Sequence, residues 1–312
     1  MTDIVTITPN PAVDLSTSVE KVLPVHKLRG LWQRRDPGGG GINVARVIKR
    51  LGGDASALYP IGGVTGDLLV KLLDKEGITS LTFPITAETR EDFFVTEIST
   101  HQPYRFVLPG PQLEVSEWQE CLRLLSAFEP FPRYLVASGS LPGGMPDDFY
   151  ARLAAIAKRR GASFILDTSG PALAAAVAER VDLIKPNLAE MRELIGHEPS
   201  DAIEWEAAAK ELVHGGRAAI VALTMGHLGA ALVTRELVLR AAPLAITPIS
   251  AVGAGDSFLG ALVQGLASGT DLEQCFRQAV AAGAAALLNP GTELCRADDV
   301  KRLTAQVKIK EA

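Results

Sequence analysis

The chain has 312 residues, 47% of them hydrophobic and 21% charged, which is ordinary for a globular protein and excludes disordered and disulfide-scaffold classes. Its 29 glycines and 19 prolines fall well short of the share that marks collagen-like or low-complexity chains. The net charge of −5 and the 5% of aromatic residues argue against nucleic acid or a membrane surface as a partner.

Strand and helix patterns alternate along most of the chain. In the N-terminal part we predict strands at 4–9 and 57–62 and helices at 42–51 and about 65–76. From Tyr134 onward we predict strands at 134–139, 163–169, 183–187 and 218–226, and helices near 147–160, 171–179, 188–195 and 204–214. Short strands that are apolar on both faces need helices on both sides. The pattern therefore predicts βαβ units around a central parallel sheet.

Two segments interrupt this alternation. Residues 15–36 and 91–108 carry alternating strand patterns, including DFFVTEIS and YRFVLPG, with no helix between the strands. Each segment indicates a hairpin-like excursion that forms a small sheet beside the main body. Two interpretations are open, a surface decoration or a lid over a binding site. No internal repeat or linker marks a second independent domain, so residues 1–312 are predicted to form a single domain.

The strongest local signal is Gly253-Ala254-Gly255-Asp256, which lies between a strand-like run and a helix predicted from Ser257. Glycines directly before a helix let backbone N–H groups converge on an anion, which the helix dipole also favours. Two roles are open for Asp256. It can cap the helix, or it can act as a general base beside a bound phosphate in phosphoryl transfer to a hydroxyl.

A second glycine cluster occupies residues 38–41 within DPGGGGINVAR, and Asn43 follows in the first turn of a predicted helix. Four glycines remove every Cβ where a ligand would approach the backbone. The alternative is a flexible loop, which carries a large entropic cost on ordering. The P-loop pattern GxxxxGK[ST] and the dinucleotide pattern GxGxxG are both absent, which excludes a P-loop NTPase and argues against a nicotinamide-dependent oxidoreductase.

Polar residues follow several predicted strands, where open α/β sheets bind their ligands. They are Asp14, Ser138, Asp167 and, at the end of the LIKPN strand and just beyond it, Lys185, Asn187 and Glu190. We therefore expect one shared crevice. Asn187 and Glu190 are three residues apart at a helix start, which fits either a capping box or a pair facing Mg²⁺ or its waters.

The cysteines indicate the compartment. Cys121, Cys275 and Cys295 are odd in number and form no CxxC motif, which predicts reduced thiols and a cytoplasmic protein. The N-terminus lacks the pattern of a signal peptide, and the longest apolar stretch, residues 279–288, is far shorter than the ~18–20 residues of a membrane helix. We therefore expect a soluble protein without a membrane partner.

Five motifs together resemble the signatures of one family. PGGGGINVAR and VGAGDSF occur with SGSLP (138–142), KPNLAE (185–190) and LTMGHLGA (223–230) between them. This set resembles the ribokinase-like (PfkB) carbohydrate kinases over nearly the whole chain. PGGGGINVAR and YRFVLPG are most similar to the 6-phosphofructokinase branch of the minor bacterial isozyme type. The resemblance implies a three-layer α/β/α sandwich with a mainly parallel central sheet, and a small β-sheet lid that often forms a homodimer.

The resemblance also implies roles for individual residues. It makes Asp256 the catalytic base and the backbone of Gly253, Ala254 and Gly255 the anion hole. The sugar-binding residues that it implies are Asp14, Gly39, Gly40, Asn43, Arg90 and Ser138, with Lys27 and Arg105 as further cations for the sugar phosphate. The nucleotide-binding residues that the resemblance implies are Lys185, Asn187, Thr224, Gly226, Gly229 and Gly283. Glu190 would act on the Mg²⁺ that accompanies ATP, and K⁺ would be bound by the carbonyls of Ser250, Val252, Ala286, Asn289 and Gly291.

The function that the resemblance implies is ATP-dependent phosphorylation of fructose 6-phosphate at its 1-hydroxyl, a step of glycolysis. The nearest alternatives are 1-phosphofructokinase and tagatose-6-phosphate kinase, which usually carry a lysine where this chain has Gly40. Two other classes are a nicotinamide-dependent oxidoreductase and an inactive sugar-binding regulator. The first lacks its glycine fingerprint, and the intact Asp256, Asn187 and Glu190 argue against the second.

Overall fold

The protein is described by a computed structural model that covers residues 2–250 and 252–311. Within these residues the strands are β1 (Ile4–Ile7), β2 (Ala12–Val19), β3 (Arg34–Gly38), β4 (Ser56–Ile61), β5 (Thr79–Pro84), β6 (Arg90–Glu97), β7 (Pro103–Phe106), β8 (Tyr134–Ser138), β9 (Ser163–Asp167), β10 (Val181–Ile184), β11 (Ala218–Thr224), β12 (Ala230–Val233), β13 (Val238–Ala241) and β14 (Ile309–Glu311). The α-helices are α1 (Gly40–Arg50), α2 (Gly63–Lys75), α3 (Val115–Ser126), α4 (Phe149–Arg160), α5 (Gly170–Ala178), α6 (Leu188–Ile195), α7 (Ala202–His214), α8 (Ala254–Ala267), α9 (Leu272–Ala286) and α10 (Ala297–Thr304).

A large sheet runs through the middle of the molecule in the order β14-β13-β12-β11-β10-β9-β8-β1-β4-β5. All neighbours from β11 to β5 run parallel, as the alternating strand and helix patterns predict. Strands β12, β13 and β14 extend the sheet by antiparallel pairing. The mainly parallel sheet is therefore confirmed, with an antiparallel extension at one edge.

Helices cover both faces of the large sheet. Along β8, Leu135 and Ala137 pack into the core formed with α3 to α7, whereas Val136 packs into the core formed with α1, α2 and α8 to α10. Successive strand residues point to opposite faces, so a strand that is apolar throughout can supply both cores. This arrangement confirms the three-layer α/β/α sandwich.

A small sheet stands beside the large one, in the order β3-β2-β6-β7. The interrupting segments 15–36 and 91–108 do form it, and they join into one sheet because β2 and β6 pair in parallel along their whole length. The outer pairs β2–β3 and β6–β7 are antiparallel. Asp14 and Asp92 are register partners in the central pair, so their side chains lie on the same face.

The remaining sequence expectations concern thiols and membranes. Cys121, Cys275 and Cys295 are buried and form no disulfide. Burial raises the pKa of the Cys121 thiol to about 12, so this thiol is unreactive at neutral pH. Among residues 2–250 and 252–311, no helix has the length and apolar character needed to cross a membrane.

Candidate active site

Two cavities share the N-terminus of α8. The first, the polar pocket, has a volume of about 430 Å³, and Gly253 belongs to its lining. The second, the apolar cleft, has a volume of about 680 Å³, and Ala254 and Gly255 line it. The predicted site residues in the polar pocket are Asp14, Gly39, Gly40, Asn43, Arg90, Arg105, Ser138, Glu190, Val252, Gly253 and Asp256. Those in the apolar cleft are Asn187, Thr224, Gly226, Gly229, Ala254, Gly255 and Gly283.

Asp256 lies in the first turn of α8 and faces the polar pocket. The N-cap residue is Gly253, with φ +75°, so Asp256 does not have the capping role that its sequence position left open. Its Oδ2 accepts a hydrogen bond from Asn43 Nδ2 at 2.9 Å. Burial, together with the nearby Asp167 carboxylate, raises the pKa of Asp256 to about 6. A carboxylate with this pKa is suited to accept a proton near neutral pH.

The glycine run 38–41 packs closely against the ends of neighbouring strands. Gly39 has φ +110°, a left-handed conformation that disfavours side chains. A Cβ on Gly40 would lie only 2.2 Å from Ser138 Oγ, and Ile42 N–H donates to Thr8 Oγ1 at 2.7 Å. The flexible-loop alternative is therefore wrong, because this run is fixed where backbone must pass close to β1 and β8.

Two arginines of the small sheet line the polar pocket. Arg90 donates to the backbone carbonyls of Leu108 and Asn10, at 3.1 and 3.2 Å, while its buried Nε has no hydrogen-bond partner. Arg105 stacks over the Phe94 ring. A buried guanidinium N–H without an acceptor is an available donor for an anion. Lys27 is exposed between β2 and β3 and does not line the pocket, so the structure does not bring it to the other cations.

Asp14 and Asp92 form a buried carboxyl pair at the base of the pocket, 6% and 2% exposed. Burial raises the pKa of Asp14 to about 7, and the Asp92 charge contributes to that increase. Asp92 also accepts a hydrogen bond from Leu108 N–H at 3.0 Å. Asp92 could not be identified from the sequence, because only the register of two distant strands places it beside Asp14. Asp167, expected in the shared crevice, does line the pocket, as do its strand-end neighbours Gly139 and Ser140, whereas Val107, Thr168 and Ser169 are lining residues that the sequence did not indicate.

Lys185 and Asp167 form a buried ion pair beside the start of α8, with Nζ and Oδ1 3.1 Å apart. Burial acts to lower the pKa of Lys185, but Asp167 and Glu190 outweigh it, so the pKa is raised and the side chain stays charged. A Cβ on Gly255 would lie 3.3 Å from Lys185 Nζ. This glycine therefore lets a fixed cation approach the N-terminus of α8.

Asn187 and Glu190 form the capping box of α6. Asn187 Oδ1 accepts from Glu190 N–H at 2.9 Å, and Glu190 Oε2 accepts from Asn187 N–H at 2.8 Å. The capping alternative is therefore confirmed, yet it does not remove Glu190 from the site, because the residue also lines the polar pocket. Burial raises the pKa of Glu190, and a cation nearby would offset that effect.

No three His, Cys, Asp or Glu side chains cluster as a metal site within the described residues. A dedicated protein cage is not needed for Mg²⁺ in a phosphate-binding site, since this ion is usually held by one or two carboxylates, phosphate oxygens and waters. A single carboxylate that lines the polar pocket, such as Glu190, fits that pattern.

The apolar cleft has the size of a small-molecule site. Gly229 has φ +94°, and a Cβ there would lie 2.1 Å from the Ala241 carbonyl oxygen. A Cβ on Gly226 would meet open space. Hydrophobic walls that the sequence analysis did not single out complete the cleft, and they include Pro243, Leu244, Ile246, Phe258, Val280, Ala284 and Leu287. His227 lines the same cleft.

Four of the residues expected to bind K⁺, Ser250, Val252, Asn289 and Gly291, lie outside the helices and strands, and the fifth, Ala286, ends α9. Ser250 Oγ donates to the Gly291 carbonyl at 3.1 Å, and Val252 N–H donates to Ser250 Oγ at 3.2 Å. Asn289 N–H donates to the Ala286 carbonyl at 3.1 Å. The structure thus brings Ser250, Val252 and Gly291 together, and the carbonyls of Ala286 and Gly291 each already accept one hydrogen bond.

Comparison with known proteins gives consistent results over the full chain. A model of the pfkB family carbohydrate kinases matches residues 4–299. ATP-dependent 6-phosphofructokinase isozyme 2 of Mycobacterium tuberculosis is 46% identical, covering 96% of this chain and 88% of that protein. 1-Phosphofructokinase of Xanthomonas campestris is 33% identical, with 97% and 94% covered. The crystal structure of phosphofructokinase-2 from Escherichia coli with potassium has a TM-score of 0.93 and 39% identity, covering 98% of this chain and 99% of that one.

Proposed function

Because the chain belongs to the pfkB family of carbohydrate kinases, we propose that it phosphorylates fructose 6-phosphate at the 1-hydroxyl with ATP, as a 6-phosphofructokinase. The observation that carries this proposal is Asp256, a carboxyl group of near-neutral pKa at the α8 N-terminus that the polar pocket and the apolar cleft share. The reaction belongs to glycolysis, and three buried thiols without a disulfide fit a reducing cytoplasm.

The sugar phosphate would occupy the polar pocket. Its hydroxyls would bind Asp14, Asn43 and the pocket wall formed by Ser138 with the glycine run. Its phosphate would bind Arg90, whose Nε is an available donor, together with Arg105. Lys27 is not part of this set, because it lies on the exposed connection outside the pocket.

The nucleotide would occupy the apolar cleft, with its phosphates towards the α8 N-terminus and Lys185. Asn187, Thr224, Gly226, Gly229 and Gly283 would line its binding site. Asp256 accepts the proton of the sugar hydroxyl as that oxygen bonds to the γ-phosphorus, and the bond from that phosphorus to the bridging oxygen breaks to release ADP. The first-turn N–H groups of α8 lack intrahelical acceptors, so they can stabilise the transferring phosphoryl group.

The proposal includes two cations. Glu190 would help to hold Mg²⁺, which neutralises phosphate oxygens when it is bound with ATP. A K⁺ site near α8 is supported by the potassium complex of the Escherichia coli relative. In this chain it would use the carbonyls of Ser250, Val252, Ala286, Asn289 and Gly291.

Gly40 supports this function over the nearest alternatives. 1-Phosphofructokinases and tagatose-6-phosphate kinases usually carry a lysine at this position. Here even a Cβ would lie 2.2 Å from Ser138 Oγ, so the pocket is built around a glycine. The 1-phosphofructokinase of Xanthomonas campestris is also less similar, at 33% identity, than the Mycobacterium tuberculosis 6-phosphofructokinase at 46%.

The small sheet would act as a lid and as a homodimer interface, within one kinase domain. It contributes Asp14, Arg90 and Arg105 to the pocket, so it forms part of the wall around the sugar site. It and its connections also expose Leu31, Trp32, Phe106 and Val107 to solvent. A second copy of the chain is the partner that would cover this apolar surface.

The test is an assay of ADP release with fructose 6-phosphate, fructose 1-phosphate and tagatose 6-phosphate, each with and without K⁺. We expect the highest kcat/KM for fructose 6-phosphate. Asp256→Asn should lower kcat by ~10²–10⁴-fold, the usual loss of a general base, and leave sugar-phosphate binding intact. Asp147→Asn, at an exposed aspartate just before α4, is the matched control. Near-normal turnover of Asp256→Asn would rule out the assigned base.

A further inference from the structure

Arg46 is a cation of α1 that is buried to 1% exposure and lines neither cavity. Its Nε and Nη2 donate to the Glu76 carboxylate at 2.9 and 2.7 Å. Its Nη1 donates to the Pro37 carbonyl at 2.8 Å and to Asn43 Oδ1 at 3.2 Å. A buried guanidinium needs a counter-ion and several acceptors, and Glu76 with these two oxygens supplies them.

Asn43 lies between two groups with opposite hydrogen-bonding character. The Arg46 guanidinium can only donate, so the amide atom facing it must be Oδ1. The ionised Asp256 carboxylate can only accept, so the atom facing it must be Nδ2. Arg46 and ionised Asp256 therefore require the same orientation of the Asn43 amide, and the bond to Arg46 holds that orientation independently of the charge on Asp256.

We propose that Arg46 is a positioning residue for phosphoryl transfer. It fixes the Asn43 amide so that Nδ2 holds Asp256 Oδ2, which leaves Oδ1 of the same carboxyl group to receive the sugar hydroxyl proton. The inference rests on the proposed function, in which Asp256 is the general base. Arg46 contacts no substrate in this scheme, and its effect passes through Asn43.

A purely structural role for Arg46 makes a different prediction. Its contacts with Glu76 and Pro37 also join α1 to the end of α2 and to β3. Loss of those contacts alone would lower stability, and any loss of activity would be independent of Asn43. Two mutations that act through one chain of contacts are non-additive, whereas independent mutations add. A double-mutant cycle therefore separates the two roles.

The experiment compares kcat for the wild type, Arg46→Lys, Asn43→Ala and the double variant, with fructose 6-phosphate and ATP. Lysine keeps the charge but cannot reproduce the fork that contacts Glu76, Pro37 and Asn43 together. We expect Arg46→Lys to lower kcat about tenfold, within the usual range for coupled neighbours, with little change in the KM for ATP. In the Asn43→Ala background the same change should have almost no effect.

If Arg46→Lys lowers kcat by the same factor in the wild type and in Asn43→Ala, the proposal is wrong. Arg240→Lys is the matched control, because Arg240 pairs with the buried Glu206 away from either cavity, and it should leave kcat unchanged. Thermal unfolding of each variant checks folding. If Arg46→Lys does not fold, Glu76→Gln removes the counter-ion and should show the same dependence on Asn43.

A measurement without substrate separates this inference from the proposed function. No ADP release by the wild type with any sugar phosphate would contradict the function alone. The side-chain amide signals of Asn43, assigned by their loss in Asn43→Ala, would still report the hydrogen bond to Asp256. We expect their exchange with D₂O to be about tenfold faster in Arg46→Lys, as for loss of one charge-assisted hydrogen bond. Equal exchange in the two proteins would contradict the inference.

Discussion

Asp256 and Asp14 are carboxyl groups of the polar pocket whose pKa values are both raised, in each case first by burial. The two raised pKa values should affect different properties of the protein, because Asp256 is proposed to accept a proton, whereas Asp14 is proposed to bind the sugar. The charge of Asp256 should therefore control the rate. The charge of Asp14, which faces Asp92 in the buried pair, should also affect folding stability.

The pH dependence of activity follows from Asp256. Its pKa is about 6, and only the ionised form can accept the hydroxyl proton. We expect kcat/KM for ATP, at saturating sugar phosphate, to fall about tenfold per pH unit below pH 6 and to level off above it. Asn43→Ala removes a hydrogen bond that lowers this pKa, so the decline should begin at higher pH. A profile that is flat between pH 5 and 8 would contradict the assignment.

The pH dependence of stability follows from Asp14. Its pKa is about 7 in the folded protein and near 3.8 in the unfolded chain, so the folded state holds an extra proton between these values. Stability from this group is therefore lost as pH rises towards and through 7. Asp14→Asn removes the loss, and its gain in melting temperature over the wild type should be larger at pH 8 than at pH 5. Asp147→Asn should show no such difference between the two pH values. A larger gain in melting temperature for Asp14→Asn at pH 5 than at pH 8 would contradict the raised pKa of Asp14.

At the scale of elements, α6 combines capping with a proposed contact to Mg²⁺. Glu190→Gln keeps an oxygen that can accept the Asn187 N–H bond but removes the charge. We expect the melting temperature to change little, and the Mg²⁺ concentration for half-maximal rate to rise several-fold. Asp201→Asn, at the N-cap of α7, is the matched control because it changes a similar cap away from the site. An unchanged Mg²⁺ requirement in Glu190→Gln would exclude the contact.

The elements that the sequence predicted well are those with a local pattern. The strand and helix alternation around β8 to β11 and the glycine-led helices α1 and α8 are encoded within windows of about 10–20 residues. Strands β12 and β13 follow β11 with no α-helix between them, so the alternation of strand and helix patterns did not indicate them. Parallel pairing of β2 with β6 depends on tertiary packing between segments far apart in sequence. Asp92 was missed for that reason, although Asp14, four strands earlier, was found.

Contacts between individual side chains could not be predicted from the sequence either. The motifs placed Asn43 and Asp256 in one site, but nothing in them indicated that the two side chains bond to each other. Arg46 lies within the motif INVAR and has no distinguishing spacing. Its burial and its contact with Glu76, the residue that follows α2, emerge only when α1 and α2 pack together.

At the scale of the whole molecule, the exposed apolar residues of the small sheet predict the oligomeric state. We expect a dimer in light-scattering measurements of the wild type. Phe106→Glu places a charge on β7, where Phe106 is 54% exposed, and should shift the protein towards monomer. Ile203→Glu, at an exposed isoleucine of α7, is the control and should leave the dimer intact. Wild-type protein that is monomeric, or a dimer unaffected by Phe106→Glu, would contradict the interface.

The parallel register of β2 and β6 also constrains how this protein can vary in evolution. Asp14 faces Asp92 only because both strands keep their alignment over eight residue pairs. One residue inserted or deleted within β2 ahead of Asp14, or within β6 ahead of Asp92, would turn that carboxyl group to the opposite face and separate the pair, and a change later in either strand would turn the side chains that follow it. The exposed connection 20–33, between β2 and β3, is not part of either strand and has no register to maintain. Changes in chain length should therefore accumulate in that connection between homologues, while β2 and β6 keep a constant length.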